Sequence, residues 1–498
     1  MNNRREIFGW TMYDWASSAF STTVGTVFLG PYLTSLAENA ADANGLLYLF
    51  NVPIRFDSFF AYAISASVLL QVTILPILGA LADYSHLRKR LLQFFSTLGA
   101  VATITMFFIT ADGYWFGALL FILANVCFGA SIVFYNAYLP DIATPETRDS
   151  VSSRGFAMGY LGGGILLLLN LVLFMLGSRV GLDAALVARI SLASAGVWWL
   201  VFSLFTFTSL QSRHQVRPLP TGETYFSIGF AQLAKLLGVS TQLVTILTIL
   251  PLLIPVLIVI GVPITLALLP ALGPIAVLVI FMVRKSKTLP EGVKYLLAYL
   301  LYNDGIQTVI NIAAIYAAQE LGMSTTMLIL VILMIQFVAF GGAFLFSFLA
   351  RRLGARNAII VSLLVWAGVV IYAWLGMTST ALVLGIEQRQ LEFWVLGFVI
   401  ALVLGGSQAL SRSLFSQMIP KGQEAEFFSF YEISERGTSW LGPFVFGVVN
   451  QLTGSLRVGL LSVIIFFVIG LAILVTVNVA RAVSEAKAND ADNATSNA

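Results

Sequence analysis

Asp14 sits in GWTMYDWASSAFSTTVGTVFLGPYL, residues 9–33, a run long and apolar enough to cross a bilayer. A carboxylate in a spanning helix is disfavoured by roughly 2.5–3.5 kcal/mol on insertion scales, so keeping one there asks for a role. Asp304 occupies a comparable place in the second half of the chain, in LLYNDGIQT at 300–308. A helix that began after it, at Gly305, would hold only 15 residues before Glu320, too few to cross. The span must therefore start upstream and carry Asp304 two or three turns deep, about 12–15 Å from Lys294 at 1.5 Å per residue. Burial disfavours the charged form of a carboxyl group. An acid whose surroundings alternate between dry and wet can take up and release a proton. Asp304, with Asp14 second, is the candidate proton-coupling group. A plainer reading of Asp14 is a helix N-cap, because Trp15–Thr34 alone spans 20 residues and Trp10, Tyr13 and Trp15 suit an interfacial aromatic belt.

Other polar residues recur at helical spacing. Asp304, Gln307 and Asn311 fall at i, i+3 and i+7, and Asp14, Ser18, Ser21 and Thr22 at i, i+4, i+7 and i+8. Asn125, Gly129 and Asn136 fall at i, i+4 and i+11, and Gln408, Ser411 and Arg412 at i, i+3 and i+4. A polar group facing lipid has no partner, so these stripes should face protein or a wet cavity. The candidate substrate-binding residues are Ser18, Asn125, Asn136, Gln307, Asn311, Gln408 and Arg412. Arg412 can bind a carboxylate or pair with an acid, Glu432 or Glu435 being the structural alternative. Amides and hydroxyls with one acid and one base suit a zwitterion or another small polar solute.

The elements that must hold these residues are membrane spans. Of 498 residues, 58% are hydrophobic and 10% charged, with mean hydropathy +0.91, whereas soluble domains carry about 25% charge. Uncharged runs cover 15–37, 58–82, 91–111, 113–140, 155–178 and 190–212, then 236–283, and then 295–319 (broken only by Asp304), 321–350, 357–386, 393–411, 437–456 and 458–480. The run at 236–283 is long enough for a hairpin of two spans turning near 261–263, or for a re-entrant loop. The expectation is an all-α membrane protein of fourteen spans, six plus an inserted hairpin plus six. Placing the N-terminus inside puts 22 of the 27 Lys and Arg residues on inner segments, in keeping with the positive-inside rule. The expected domains are a bundle at 1–212, a cytoplasmic linker with the hairpin at 213–290 (the hairpin at about 240–283), a bundle at 291–480 and a disordered cytoplasmic tail at 481–498. In the linker, Phe226, Phe230, Leu233 and Leu237 suggest an amphipathic helix lying on the inner membrane surface. The sequon at Asn493–Thr495 lies inside, where it is not glycosylated.

Several functions are excluded by what the sequence lacks. H-E-x-x-H, G-x-S-x-G and Walker A patterns are missing, which argues against an enzyme and against ATP-driven transport. Two His (His86 and His214, both assigned to loops) and the lone Cys127, a small buried hydrophobe, provide no metal cluster and no disulfide framework. No cofactor and no nucleic-acid partner is expected, and no cleavable signal peptide is evident.

Three landmarks repeat in order: LAD at 81–83 with LAR at 349–351, SSRGFAMGYLGG at 152–163 with SERGTSWLGP at 434–443, and MYDWASS at 12–18 with LYNDGIQ at 301–307. Two parallel six-helix halves joined by a cytoplasmic linker describe the major facilitator superfamily. GALADYSHLRKR (79–90) resembles its signature G-x-L-A-D-R-x-G-R-R through Gly79, Leu81, Ala82, Asp83 and the basic cluster 88–90, and departs from it at Tyr84, His86 and Leu87. YDWASSAF (13–20), the YNAYLPDIA around Asn136, VSSRGFAMGYLGGGILLLLN (151–170) and LLYNDGIQT resemble the vacuolar amino-acid effluxers first tied to autophagy, which have many bacterial members. The resemblance implies that the spans at 8–34, 113–139, 295–319 and 393–413 line a central cavity. It also implies a cytoplasmic gate of Gly79, Asp83, Arg88 and Arg436, with Asp83 near Arg436 and the start of span 11. Gly155, Gly159 and Gly163 read as a close helix contact. The proline of the antiporter glycine-proline motif is missing, so antiport is not inferred. The expected function is secondary active transport of a small polar solute, an amino acid first, by alternating access with proton coupling. A multidrug or lipophile exporter is the alternative within transporters, and a non-transporting receptor or scaffold the alternative outside them. The expected setting is a monomer in the lipid bilayer of a bacterial inner membrane, with both termini cytoplasmic.

Overall fold

The computed structural model describes residues 2–49, 52–56, 59–83, 87–110, 113–177, 181–211, 227–250, 272–383, 385–436 and 441–496. His86, His214 and Phe226 lie outside the described residues. Helix α1 (Arg4–Ala19) is capped by Asn3, whose side chain accepts the Arg5 N–H. Asp14 is therefore no N-cap but a mid-helix residue, ten positions beyond the first turn's start at Arg4. A π-helical stretch at Phe20–Phe28 carries the same run into α2 (Leu29–Ala40). Its widened turns are typical of functional sites. Here the Thr26 hydroxyl donates to the Ser21 carbonyl at 3.0 Å.

An outer β-hairpin pairs β1 (Leu46–Leu49) with β2 (Val52–Arg55). Asp42 braces its base by accepting the Leu46 and Asn44 N–H groups and the Tyr48 hydroxyl, which holds its carboxyl below the usual carboxylate range. The first bundle is completed by α3 (Phe59–Asp83), α4 (Arg88–Thr105), α5 (Tyr114–Ala137), the short α6 (Leu139–Ile142), α7 (Arg148–Gly177) and α8 (Ala184–Ser209). Next come α9 (Ser227–Leu237), α10 (Thr241–Ile249) and α11 (Leu272–Lys285). The second bundle holds α12 (Pro290–Gln319), α13 (Thr325–Leu353), α14 (Ala355–Leu375), a small hairpin of β3 (Leu382–Val383) and β4 (Ile386–Glu387), α15 (Gln388–Ser416), α16 (Glu424–Arg436), α17 (Leu441–Thr453), α18 (Leu456–Ser462) and α19 (Ile464–Thr476). The chain is a multi-pass membrane protein. Among the described residues nine helices are long and apolar enough to cross. The runs through α1, α12 and α16–α17 are not in that set; α1 carries Asp14, α12 carries Asp304 and α16 carries four glutamates.

Three expectations are modified here. In the inserted region, α10 and α11 lie antiparallel, with Gly238 against Arg284 and Gly273 against Leu247. Residues 251–271, the remainder of the expected hairpin, lie outside the described residues, and with them the count of fourteen. Helix α9 forms where its spacing placed it, but buries Leu233 and packs Gly229 against Ile77 of α3 rather than only covering the membrane surface. The tail expected to be disordered is helical as α20 (Val479–Ser496). It docks because the Asn478 N–H donates to Glu291, the Glu291 N–H donates to Glu485, and Ala482 and Ala486 are buried.

Glycines let α7 approach α1 closely. A Cβ on Gly159 would fall 2.6 Å from Ser18 Oγ, and one on Gly163 2.8 Å from Thr22 Oγ1. The small-residue stripe is therefore a packing surface that presses the polar face of α1 toward the molecular centre.

Candidate functional site

A cavity of about 450 Å³ lies between the bundles. Asp14 and Ser18 of α1, Asn125 and Asn136 of α5, Gln307 of α12, and Gln408 and Arg412 of α15 all line it. Four helices chosen by their polar stripes thus deliver those side chains to one space. Ser21, Thr22 and Thr26 of the π-helical stretch extend the hydroxyl wall, and Phe128, Phe156 and Tyr160 supply rings.

Asp304 and Asn311 are not among the lining residues. Asp304 is 1% exposed and faces the start of α17, where its carboxylate lies beside Gly442. The reason is angular: three residues of helix fall about 60° short of a full turn. With Gln307 in the cavity, Asp304 is turned into the contact between α12 and its neighbours, where Gly305 meets Phe466 and Phe467. Asn311 is exposed.

The floor of the cavity is a buried charge cluster. Both terminal nitrogens of Arg412 reach Asp14 Oδ2 at 3.3 Å. Its Nε donates to Ser152 Oγ at 3.0 Å and Nη2 to the Ser152 carbonyl at 2.9 Å. Asn136 Oδ1 lies 3.4 Å from Nη1. The rings of Phe156 and Trp10 lie 4.2 and 4.7 Å from the guanidinium carbon, within cation–π range. Tyr135 donates its hydroxyl to Asp14 at 2.6 Å, and Trp10 Nε1 holds the Tyr135 carbonyl at 2.9 Å. Arg412 therefore pairs with Asp14 of the other bundle, not with Glu432 or Glu435. Glu432 instead accepts from Asn136 at 3.0 Å, and Glu435 accepts from Tyr299 at 3.0 Å.

Below the floor, at the face that carries both termini, the bundles are tied again. Arg88, fully buried, donates to Asp83 at 2.8 Å, to Asp141 at 3.0 Å and to Glu424 at 3.4 Å. Asp83 accepts the N–H groups of Ala425 (3.2 Å) and Glu426 (2.9 Å), so it caps α16 across the bundle interface. A Cβ on Gly79 would fall 2.6 Å from the Ala425 carbonyl oxygen, which explains the glycine at the head of this motif. Arg148 donates to the Ser416 carbonyl at 2.9 Å, Ser413 to Asp149 at 2.6 Å, and Ser152 to the Ala409 carbonyl at 2.7 Å. Asp83 meets the first turn of α16, and Arg436 ends that helix about 18 Å further on at 1.5 Å per residue. The Arg436 side chain lies outside the described residues. The helix starts at Glu424 because its carboxylates are buried in the interface rather than marking a loop.

Tyr135, Trp10, Phe156, Tyr160, Ser152, Asp141 and the glutamates of α16 were not singled out from the sequence as site residues. For the glutamates a signal was present: Glu424, Glu432 and Glu435 fall at i, i+8 and i+11, one helical face. The ring residues lie in apolar runs where no pattern sets them apart.

Two helical bundles around a polar cavity, sealed at one end by buried charge, define a transporter of the major facilitator type, not an enzyme. Solved structures agree on the fold. The human organic anion transporter MFSD10 aligns with TM-score 0.62 at 15% identity, over 95% of this chain and 99% of that one. A bacterial homologue of the iron transporter ferroportin in an outward-facing state aligns with TM-score 0.60 at 13% identity, over 95% and 98%. The chain belongs to the vacuole effluxer Atg22-like family, whose profile matches residues 2–251 and 276–487. Relatives include the uncharacterised MFS-type transporter YxiO of Bacillus subtilis, 28% identical over 93% of each chain, and autophagy-related protein 22-1 of Penicillium rubens, 26% identical over 96% of this chain and 90% of its own.

Proposed function

We propose that the protein moves a small polar solute, an amino acid, by alternating access, and that proton binding at Asp14 is coupled to the movement. The observation that carries this reading is the Arg412–Asp14 pair at 3.3 Å, which joins the two bundles at the floor of a cavity walled by amides and hydroxyls. The amides and hydroxyls suit the charged ends of a zwitterion, and Ile64, Val68, Phe128, Ile132, Ile310 and Leu404 give its side chain an apolar wall. Removing one partner of a buried pair typically costs about 3–5 kcal/mol. Protonating Asp14 removes the charge without removing the side chain, and so loosens the floor without dismantling it. Tyr135 and Arg412 face that carboxylate from α5 and α15. Asp304, set behind the wall, has no direct line to the solute and takes the second place as a coupling group.

The positive-inside distribution puts the sealed face and both termini in the cytoplasm, so the conformation is closed to the inside. A bacterial inner membrane is the proposed location and a monomer the proposed unit. Proteoliposome uptake across an amino-acid panel, with and without a pH gradient, tests the reading. Gradient-driven accumulation by wild type is expected. Asp14→Asn should lose the gradient dependence while retaining counterflow. No movement of any amino acid would remove the substrate assignment, and unchanged gradient dependence in Asp14→Asn would remove Asp14 from coupling.

A further inference from the structure

Two amide side chains face the cavity from opposite bundles, and their neighbours fix which way each one points. Asn125 of α5 has Nδ2 2.7 Å from Ser67 Oγ. The Ser67 hydroxyl spends its single proton on the Ile64 carbonyl at 2.7 Å. Ser67 can then only accept, so the group facing it must be the Asn125 amino group. This leaves Asn125 Oδ1, an acceptor, for the cavity. Across the cleft the Tyr160 hydroxyl lies 2.6 Å from Gln408 Oε1. A tyrosine hydroxyl has one proton, and among the described residues Gln408 Oε1 is its acceptor. The Gln408 oxygen is thereby tied to Tyr160, and its Nε2, a donor, is left for the cavity.

The geometry points to a polar axis across the cavity: Asn125 Oδ1 in the first bundle takes the amino group of the solute, and Gln408 Nε2 in the second takes its carboxylate. Tyr160 and Ser67 are the positioning residues that set this polarity. Arg412 is not needed for the carboxylate. It is 3% exposed and already engaged by Asp14 and the Ser152 carbonyl. The two ends of an amino acid would then touch different bundles, so that one bound molecule bridges the parts that must move together on closure. A solute lacking either end would touch one bundle only. This inference rests on the amino-acid reading above and assigns the orientation within it.

The test uses the full-length protein in detergent, with L-alanine, L-glutamine and L-phenylalanine, each beside its amino alcohol and its 2-hydroxy acid. Affinity is read from thermal shift and confirmed by counterflow in proteoliposomes. Gln408→Glu keeps an oxygen for Tyr160 but turns a carboxylate toward the solute. It should weaken amino acids and 2-hydroxy acids by about ten- to hundredfold, the size of a lost hydrogen bond to a charged group, and leave amino alcohols within about threefold, where no such bond is lost. Asn125→Ala should show the opposite pattern, weakening amino acids and amino alcohols and sparing 2-hydroxy acids. Tyr160→Phe, which keeps the ring, should narrow the preference for amino acid over amino alcohol, and it decides the matter if Gln408→Glu does not fold. Equal losses for all three classes in Gln408→Glu and Asn125→Ala, with wild type still binding amino acids, would overturn the orientation alone. Wild type binding none of the three amino acids would overturn the reading beneath it.

Discussion

Gly155 is where the smallest side-chain change has the most direct consequence for the floor. Its Cα faces the Arg412–Asp14 pair so closely that an added Cβ would collide with Asp14 Oδ2 and lie 2.9 Å from both Arg412 Nη2 and Trp10 Cζ3. None of these three can yield freely. Asp14 is held by Tyr135, Arg412 by Ser152, and Trp10 by the Tyr135 carbonyl. Gly155→Ala therefore acts as a wedge. Overpacking of this kind costs about 1–3 kcal/mol, and here the strain falls on the contact that joins the bundles. The expected outcome is a lower melting temperature together with faster labelling of a cysteine placed below the floor. Gly25, with nothing within 4 Å of its hypothetical Cβ, provides the control: Gly25→Ala should change neither readout.

At the scale of elements, the N-terminus of α16 is held by α3 rather than by its own cap, because Asp83 takes the Ala425 and Glu426 N–H groups. The two N–H groups reach different carboxylate oxygens, so Asp83→Asn keeps an acceptor for one of them and loses the ion pair with Arg88. Arg88 stays buried beside Asp141 and Glu424, so the helix keeps one capping bond but the interface is weakened. Accessibility of cysteine probes on the sealed side should rise in Asp83→Asn, and unchanged labelling would show that this contact does not hold the gate. The same element shows what was legible in the sequence. Apolar runs located the helices and helical spacing located Asn125, Gln307, Gln408 and Arg412 on cavity-facing stripes, since both follow from local periodicity. The rule that charge ends a span failed at Glu424–Arg436, where Glu424 is paired with Arg88 and Glu432 accepts from Asn136, partners 296 or more residues away. It also placed Asp304 too confidently, because depth along a helix follows from counting whereas the side a residue faces depends on the helix packed against it. Non-local pairing is invisible to periodicity, and the Arg412–Asp14 contact, 398 residues apart, is its extreme case.

For the whole molecule, the ion pairs that cross between bundles among the described residues stand at two places, Arg412–Asp14 at the floor and Arg88–Glu424 at the gate. Opening the sealed side must break both, so each contributes to the free-energy difference between the closed and open arrangements. Moving such an equilibrium from 1:99 to 99:1 takes about 5.5 kcal/mol. Losing one charged hydrogen bond is worth about 1.5–3 kcal/mol, so neither Asp83→Asn nor Arg412→Gln should convert the population alone. The midpoint lies about 2.7 kcal/mol from 1:99, so each single loss moves the population toward it and the two together carry it past. Distances between spin labels on the ends of α3 and α16 that meet at the gate, measured in lipid nanodiscs, report the populations directly. The expected series is a single short distance in wild type, a partial long component in each single variant, and a dominant long component in the double variant, reversed in part by raising the concentration of a solute that favours the closed arrangement. If the double variant keeps the wild-type distance, the two clusters are static packing and the movement between bundles is governed elsewhere.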